Sequence, residues 1–135
     1  MHHRGSCLCG AVTFAVEGPL RAAIACHCRQ CRKGSGHYSV ATAAMPERVS
    51  IEGTVTWYRY SDAAERGFCA TCGGQLFWRS AAWPHLSIWA GAFDGDTDFV
   101  LAGHIYTGEK GNYYGIDDGL PSTLGGTFDQ RGLTA

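Results

Sequence analysis

Seven cysteines in three tight clusters constrain this chain more than any other feature. They are Cys7-Leu8-Cys9, Cys26-His27-Cys28-Arg29-Gln30-Cys31 and Cys69-Ala70-Thr71-Cys72. An odd number of thiols cannot close entirely into intramolecular disulfides. The opening Met1-His2-His3-Arg4 leads into glycine and cysteine without the apolar run of a secretory signal. Nothing here points to the oxidising compartment that disulfides favour. The chain therefore reads as cytoplasmic, with its thiols available to a metal.

Zinc closes a structural site with four ligands and leaves one position open in a catalytic site with three. Seven divides into four plus three. The middle cluster holds three sulfurs within six residues, enough to grip one ion locally. The first and last pairs each need a partner, and together they supply four sulfurs. The expectation is a closed site of Cys7, Cys9, Cys69 and Cys72, clipping the N-terminus to the later sheet. Cys26, Cys28 and Cys31 would form a second, open site, giving two zinc ions per chain. Other partitions stay open at this level: one zinc with spare cysteines packed in the core, an iron–sulfur cluster, or disulfides. His27 lies between two inward-pointing ligands, so its own ring is expected to face elsewhere as a nearby polar group.

At 135 residues the chain suits one domain. We expect a single zinc-binding β domain over residues 1–135, with its core at about residues 5–121 and a loose, glycine-rich tail. Eleven Lys and Arg against twelve Asp and Glu leave a net charge of −1. That balance argues against a broad cationic field for nucleic acid or an anionic membrane. No run approaches the ~20 apolar residues of a membrane span.

Nineteen glycines, about double the usual ~7%, imply many turns and little long helix. Period-two alternation marks a strand at Ala11–Val16, with Val12, Phe14 and Val16 on one face. Further strands are predicted at Ala22–Ala25, His37–Ala44, Val49–Ile51, Thr54–Tyr60, Gln75–Arg79 and around Leu86 and Ile88. Two more are predicted at His104–Thr107 and Tyr113–Ile116. Arg32–Gly36 reads as a basic loop, and Ser61–Arg66 as a polar connection or a single helical turn. In Thr54–Tyr60, Trp57 falls on one face, with Tyr58 and Tyr60 on the other; both faces are expected to be partly covered. No stretch of twelve residues carries a 3.6-residue period. The fold class is mainly β and antiparallel, since the connections are mostly too short for parallel crossovers.

Three segments carry a family resemblance: Gly5-Ser6-Cys7-Leu8-Cys9-Gly10, Cys26-His27-Cys28-Arg29-Gln30-Cys31-Arg32-Lys33 and Phe68-Cys69-Ala70-Thr71-Cys72-Gly73. Together with His104-Ile105-Tyr106 and Ile116-Asp117-Asp118-Gly119-Leu120-Pro121, they resemble the glutathione-dependent formaldehyde-activating enzyme family, which includes centromere-protein-V-like proteins. The resemblance implies a small antiparallel β-tent, Mss4-like, with zinc knuckles. It implies structural zinc on Cys7, Cys9, Cys69 and Cys72, and catalytic zinc on Cys26, Cys28 and Cys31. It also implies a carbon–sulfur lyase that joins glutathione and formaldehyde into S-(hydroxymethyl)glutathione. The partners would be a small thiol and a small aldehyde. A noncatalytic, zinc-stabilised interaction domain is the alternative that the centromere-protein-V-like relatives keep in view.

Other candidates gather around this chemistry. His27, His37 and His104 suit proton transfer near pH 7. Arg32, with Arg29 and Lys33, suits the carboxylates of an anionic thiol. Asp117 and Asp118 read as turn residues bonding to backbone N–H groups. Trp57, Tyr58, Phe77, Trp78, Trp83 and Trp89 read mainly as packing. Tyr106, Tyr113 and Tyr114 suit a polar pocket edge.

Overall fold

The computed structural model describes residues 2–126. The chain forms ten strands among these residues: β1 (His2–Ser6), β2 (Thr13–Glu17), β3 (Ala23–Cys26), β4 (Ser39–Ala44), β5 (Val49–Glu52), β6 (Val55–Arg59), β7 (Ala64–Cys69), β8 (Gln75–Ser80), β9 (Trp83–Trp89) and β10 (Leu101–Ile105). One α-helix, α1 (Arg29–Ser35), follows β3. The strands make a three-stranded sheet, β1-β2-β5, and a seven-stranded sheet, β10-β3-β4-β9-β8-β7-β6. Neither closes into a barrel. The architecture is mainly β and largely antiparallel, with one parallel pair between β3 and β10. No helix among the described residues is long and apolar enough to cross a membrane.

The core lies between the sheets. From the small sheet, Phe14 and Val16 point inward, joined by Val12 just ahead of β2, while Thr13 and Glu17 face water. The large sheet answers with Leu76, Phe77, Leu86 and Ile88. Phe14 meets Phe77 and Phe93 edge-on, each at 5.3 Å between ring centroids. Burial of each such side chain contributes about 1.5–3 kcal/mol relative to exposure.

Residues directly opposite each other in a ladder share a face. Thr42, Ile88, Phe77, Gly67 and Trp57 are linked in this way across β4, β9, β8, β7 and β6, and they form the inner face. Ala43, Ser87, Trp78, Arg66 and Tyr58 form a row on the outer face. Cys26 pairs with Ser39 at the far end of the same outer face, two and four residues along β4 from Ala41 and Ala43.

Several expectations change. Arg32–Gly36 is not a loop but the body of α1, which starts on Cys28 and ends on Gly36 at φ 79°. Its N-cap is a thiol: Cys28 Sγ accepts from the Cys31 N–H at 3.4 Å, a cap that the usual Ser/Asp signature misses. Only residues 61–63 of Ser61–Arg66 form a connection, since β7 begins at Ala64. Glu65 and Arg66 are accommodated there by neighbours: Arg79 lies 3.4 Å from Glu65, and the Arg66 guanidinium sits over the Tyr58 ring at 5.3 Å. Gly67 is required beneath Trp57, because a Cβ there would approach Val55 to 2.8 Å and Trp57 to 3.0 Å. Tyr58 and Tyr60 are partly covered, at 52% and 39% exposed.

The strand expected at His104–Thr107 stops at Ile105, because Tyr106 turns into the left-handed region at φ 57°. Tyr113–Ile116 is a loop, fixed by side-chain bonds rather than by a ladder: the Tyr113 hydroxyl donates to the Gly36 carbonyl at 2.9 Å, and Lys110 Nζ donates to the Gly111 and Tyr114 carbonyls. β1, for which the polar start gave no signal, pairs with β2 along its whole length. The chain does not loosen at Pro121: Tyr106 N–H donates to the Gly125 carbonyl at 2.7 Å, and Thr107 N–H to the Thr123 carbonyl at 3.1 Å. The remainder of the expected loose tail, 127–135, lies outside the described residues.

Candidate metal centres and their surroundings

The fold brings the cysteines together in two groups: Cys7, Cys9, Cys69 and Cys72, and Cys26, Cys28 and Cys31. Within each group every sulfur lies within 4.8 Å of every other. The Cys7–Cys9 and Cys9–Cys69 sulfurs are 3.7 Å apart. A disulfide needs about 2.05 Å. A tetrahedron of sulfurs around zinc, with Zn–S of about 2.3 Å, has an edge of about 3.8 Å. The donor set and its spacing fit a metal, and all seven cysteines are free.

The four-cysteine group joins parts of the chain about sixty residues apart. Cys7 lies in the turn between β1 and β2, and its sulfur accepts from the Val12 N–H at 3.3 Å. Cys69 ends β7, and Gly73 N–H closes the knuckle onto the Cys69 carbonyl at 2.8 Å. Gly73 holds φ 74°, where a side chain would be strained. Backbone N–H groups of Cys9 and Gly74 draw the Cys72 thiol down to about 6. Cys7 and Cys69 are buried, while Cys9 is exposed.

The three-cysteine group is built where β3 runs into α1. Cys26 ends the strand, Cys28 caps the helix, and Cys31 lies in its first turn. Ser39 Oγ donates to Cys31 Sγ at 3.0 Å. Three thiols this close cannot ionise independently. Sulfur–hydrogen contacts from Cys26 and then Cys31 pull Cys28 far down, while the Cys28 and Cys31 sulfurs push Cys26 far up. A nearby cation is what lets all three be thiolates together. Among the described residues no His, Asp, Glu or fourth Cys joins this group.

His27 turns to the opposite side of the sheet from Cys26 and Ser39, as strand alternation requires. There it is fully buried. Its Nε2 lies 2.8 Å from His104 Nδ1, and its Nδ1 lies 2.7 Å from the Tyr114 hydroxyl. His104 Nε2 in turn lies 2.8 Å from Asp118 Oδ2. Asp118 is drawn below the usual carboxylate range by the Leu120 N–H first and then by His104. With both rings neutral, the partners assign one direction: Tyr114 donates to His27, His27 to His104, and His104 to Asp118. Burial is the main cause that lowers His27 to about 4, and the charges of His104 and His37 add to it.

The sequence candidates thus separate into two neighbourhoods. His27 and His104 join one hydrogen-bonded chain with Tyr114 and Asp118, and neither joins a sulfur group. His37 is exposed, its ring 4.1 Å from that of Tyr38 and 4.3 Å from that of Tyr114. Arg32 stands on α1, with its Nε buried and without a partner among the described residues. Asp118 also caps its own turn by accepting from the Leu120 N–H at 3.0 Å.

Sequence reasoning missed the wall beside the three sulfurs. Tyr60 lies close enough for the charges of Cys28, Cys31 and Cys26 to oppose its ionisation, after burial as the main cause. Its hydroxyl accepts from Trp78 Nε1 at 2.7 Å. Arg66 and Gln75 continue this wall beneath α1: a Cβ on Gly34 would lie 3.4 Å from an Arg66 guanidinium nitrogen and 3.9 Å from the Gln75 amide nitrogen. The signal was absent from the sequence because these residues approach the cysteines only across the sheet.

Comparisons with known proteins agree with this geometry. A Halomonas elongata protein, named as a proposed glutathione-dependent formaldehyde-activating enzyme, is 32% identical over 103 residues, 68% of this chain and 66% of that relative. A crystal structure of a Rhodobacter sphaeroides protein superposes with a TM-score of 0.60 at 23% identity, covering 73% of this chain and 97% of that one; it supports the fold. The family described as glutathione-dependent formaldehyde-activating enzyme matches residues 2–109. The chain belongs to the glutathione-dependent formaldehyde-activating enzyme family.

Proposed function

We propose that the protein is a zinc-dependent carbon–sulfur lyase for small thiol adducts, with glutathione and formaldehyde as its reactants. The observation that carries this reading is the asymmetry of the two sulfur groups. One offers four ligands and the other three, and the group of three has no further Cys, His, Asp or Glu ligand among the described residues. A three-ligand site leaves room for an exchangeable fourth partner. Family membership supports the choice of thiol and aldehyde.

In the synthetic direction the thiol sulfur forms a bond to the formaldehyde carbon. The carbonyl π pair moves to oxygen, which takes up the proton that the thiol gave up, so S-(hydroxymethyl)glutathione forms with nothing left over. Cleavage is the reverse. Cys26, Cys28 and Cys31 would hold zinc, which supplies Lewis acidity toward the thiol sulfur or the aldehyde oxygen. Ser39 spreads the charge on Cys31 by donating to its sulfur. Arg32 provides positive charge on the helix that bears Cys31. The chain from Tyr114 to Asp118 holds the Cys26–Cys28 segment in place through His27, whose backbone N–H also donates to the Ile105 carbonyl at 3.0 Å. His27 and His104 act here by orientation, while His37, exposed beside Tyr38 and Tyr114, is a candidate substrate contact.

The test is adduct formation measured above the spontaneous rate for zinc-loaded protein and for Cys28→Ser. The expected result is a wild-type excess that Cys28→Ser abolishes while one metal ion stays bound. An excess that survives in Cys28→Ser would place the chemistry elsewhere.

A further inference from the structure

The inner face of the large sheet does not stay apolar to its edge. Arg59 follows Trp57 by two residues on β6, Glu65 precedes Gly67 by two on β7, and Arg79 follows Phe77 by two on β8. Arg59 stands opposite Glu65 in the ladder, and Glu65 opposite Arg79. By alternation all three share the inner face with Trp57, Gly67 and Phe77. A cavity of about 480 Å³ opens beside them, which is the size of a small-molecule site. Its far wall is aliphatic, with Val49 and Ile51 from β5 and Leu86 from β9. Ile51 and Trp83, which also line it, stay 38% and 43% exposed.

Arg79 is held ready within this cavity. Its guanidinium lies over the Trp57 ring, 3.6 Å from the centroid, and its Nε faces Glu65 Oε1 at 3.4 Å. Trp57 is itself seated on Gly67, where a Cβ would come within 3.0 Å of the indole. The fork is therefore placed before a ligand arrives, which lowers the ordering cost of binding. Glu65 is the ion-pair partner of Arg79 among the described residues, and it meets Nε, so the edge formed by the two terminal nitrogens is left for a second anion. Arg59 differs, because Nη1 donates to the Asp62 carbonyl at 2.9 Å and Nη2 faces Glu65 at 3.7 Å. The Asp62 side chain is exposed at the rim and makes no ion pair among the described residues. One carboxylate, Glu65, thus serves two guanidinium groups. The Arg79 side chain is 49% exposed, so its fork can be reached from solvent. A fork in open water is satisfied by water; this one borders an aliphatic wall, and the combination describes an amphipathic ligand.

We infer that this cavity binds a free aliphatic carboxylate of about the size of a medium-chain acid. The terminal nitrogens of Arg79 donate to the carboxylate through two parallel bonds, and the hydrocarbon lies against Val49, Ile51 and Leu86. Two guanidinium groups then face two carboxylates, Glu65 and the ligand. The site is separate from both sulfur groups. Cys26 and its partner Ser39 lie on the outer face of the same sheet. Cys69 ends β7 four residues beyond Glu65, about 13 Å along the strand. The inference goes beyond the lyase reading and does not depend on it.

The probe is octanoate, compared with octanamide, which keeps the chain and loses the charge. Calorimetry on the zinc-loaded full chain should show octanoate binding about tenfold tighter than the amide, as expected for a charged fork against a neutral group. Arg79→Gln should bring octanoate down to the level of octanamide, and Arg79→Lys should recover part of the difference. Ile51→Ser, at a position already partly exposed, should weaken both probes without removing the preference. Indole N–H signals place the ligand: octanoate should shift Trp57 and Trp83 and leave Trp78, whose Nε1 donates to Tyr60, unmoved. Failure of the wild type to bind octanoate, equal binding of the two probes, or a preference that survives in Arg79→Gln would overturn the inference. A shift at Trp78 with none at Trp57 would do the same, since it puts the ligand on the other face. The wild-type arms need no variant to fold.

Discussion

His27 Nε2 and His104 Nδ1 meet at 2.8 Å inside the protein, both rings almost wholly shielded from solvent. The two residues are 77 positions apart, and the parallel pairing of β3 with β10 is what brings them together. Burial holds His27 at about 4 against an unfolded value near 6.5, so the unfolded chain binds this proton first as pH falls. Stability from this group is complete above pH 6.5 and is lost as pH falls from there toward about 4. Ring C–H signals followed by NMR through acid should give His27 a midpoint near 4. A midpoint above 6 would contradict the buried neutral pair.

Ser39→Ala removes the only hydroxyl that donates to Cys31 Sγ among the described contacts. Outer hydrogen bonds of this kind change metal affinity by about 10–100-fold. Competition with a graded chelator should show the three-cysteine site releasing zinc about tenfold more readily, with the four-cysteine site unchanged. Equal release from both sites would show that the hydroxyl has no specific role.

Cys69→Ser and Cys28→Ser should differ in kind. Cys69 belongs to the group that ties the β1–β2 turn to the end of β7, and metal bound there contributes directly to folding. Its replacement should broaden or abolish cooperative thermal unfolding. Cys28→Ser should leave a folded protein whose metal content falls from about two ions to about one. A loss of folding as large as that of Cys69→Ser would make the three-cysteine group a structural clip as well.

Gly5→Ala tests the core at its tightest point. A Cβ there would lie 2.1 Å from Phe14 Cζ and 2.6 Å from the Ala92 carbonyl oxygen. Phe14 cannot swing away, because Phe77 and Phe93 hold it on both sides at 5.3 Å. Chemical denaturation should show a loss of about 3 kcal/mol. Gly91→Ala, where a Cβ would meet nothing within 4 Å, should stay within about 0.5 kcal/mol. Similar losses at both positions would show that helix and turn propensity, not collision, sets the cost.

The cysteine spacing pointed, from sequence alone, to a group of four and a group of three, and the fold then decided for that split over the other partitions. Three of the seven are so close in the chain that few backbones could separate them, and the remaining pairs had only each other. Strand alternation likewise announced the inner face of β2 and separated the two faces of β6, because a period of two is a local property. The helix that carries Cys31 was not legible: seven residues are too few to show a period, and its cap is a cysteine sulfur rather than a Ser, Thr, Asp or Asn oxygen. Nor was β7, whose polar Glu65 and Arg66 look like a turn until Arg79 and Tyr58 are placed beside them. The deepest omissions are the chain from Tyr114 to Asp118 and the wall formed by Tyr60, Arg66 and Gln75. Each depends on residues tens of positions apart meeting across strands, and only the sheet order could decide that, since hydrogen bonding and desolvation act through space and leave no mark on neighbouring residues.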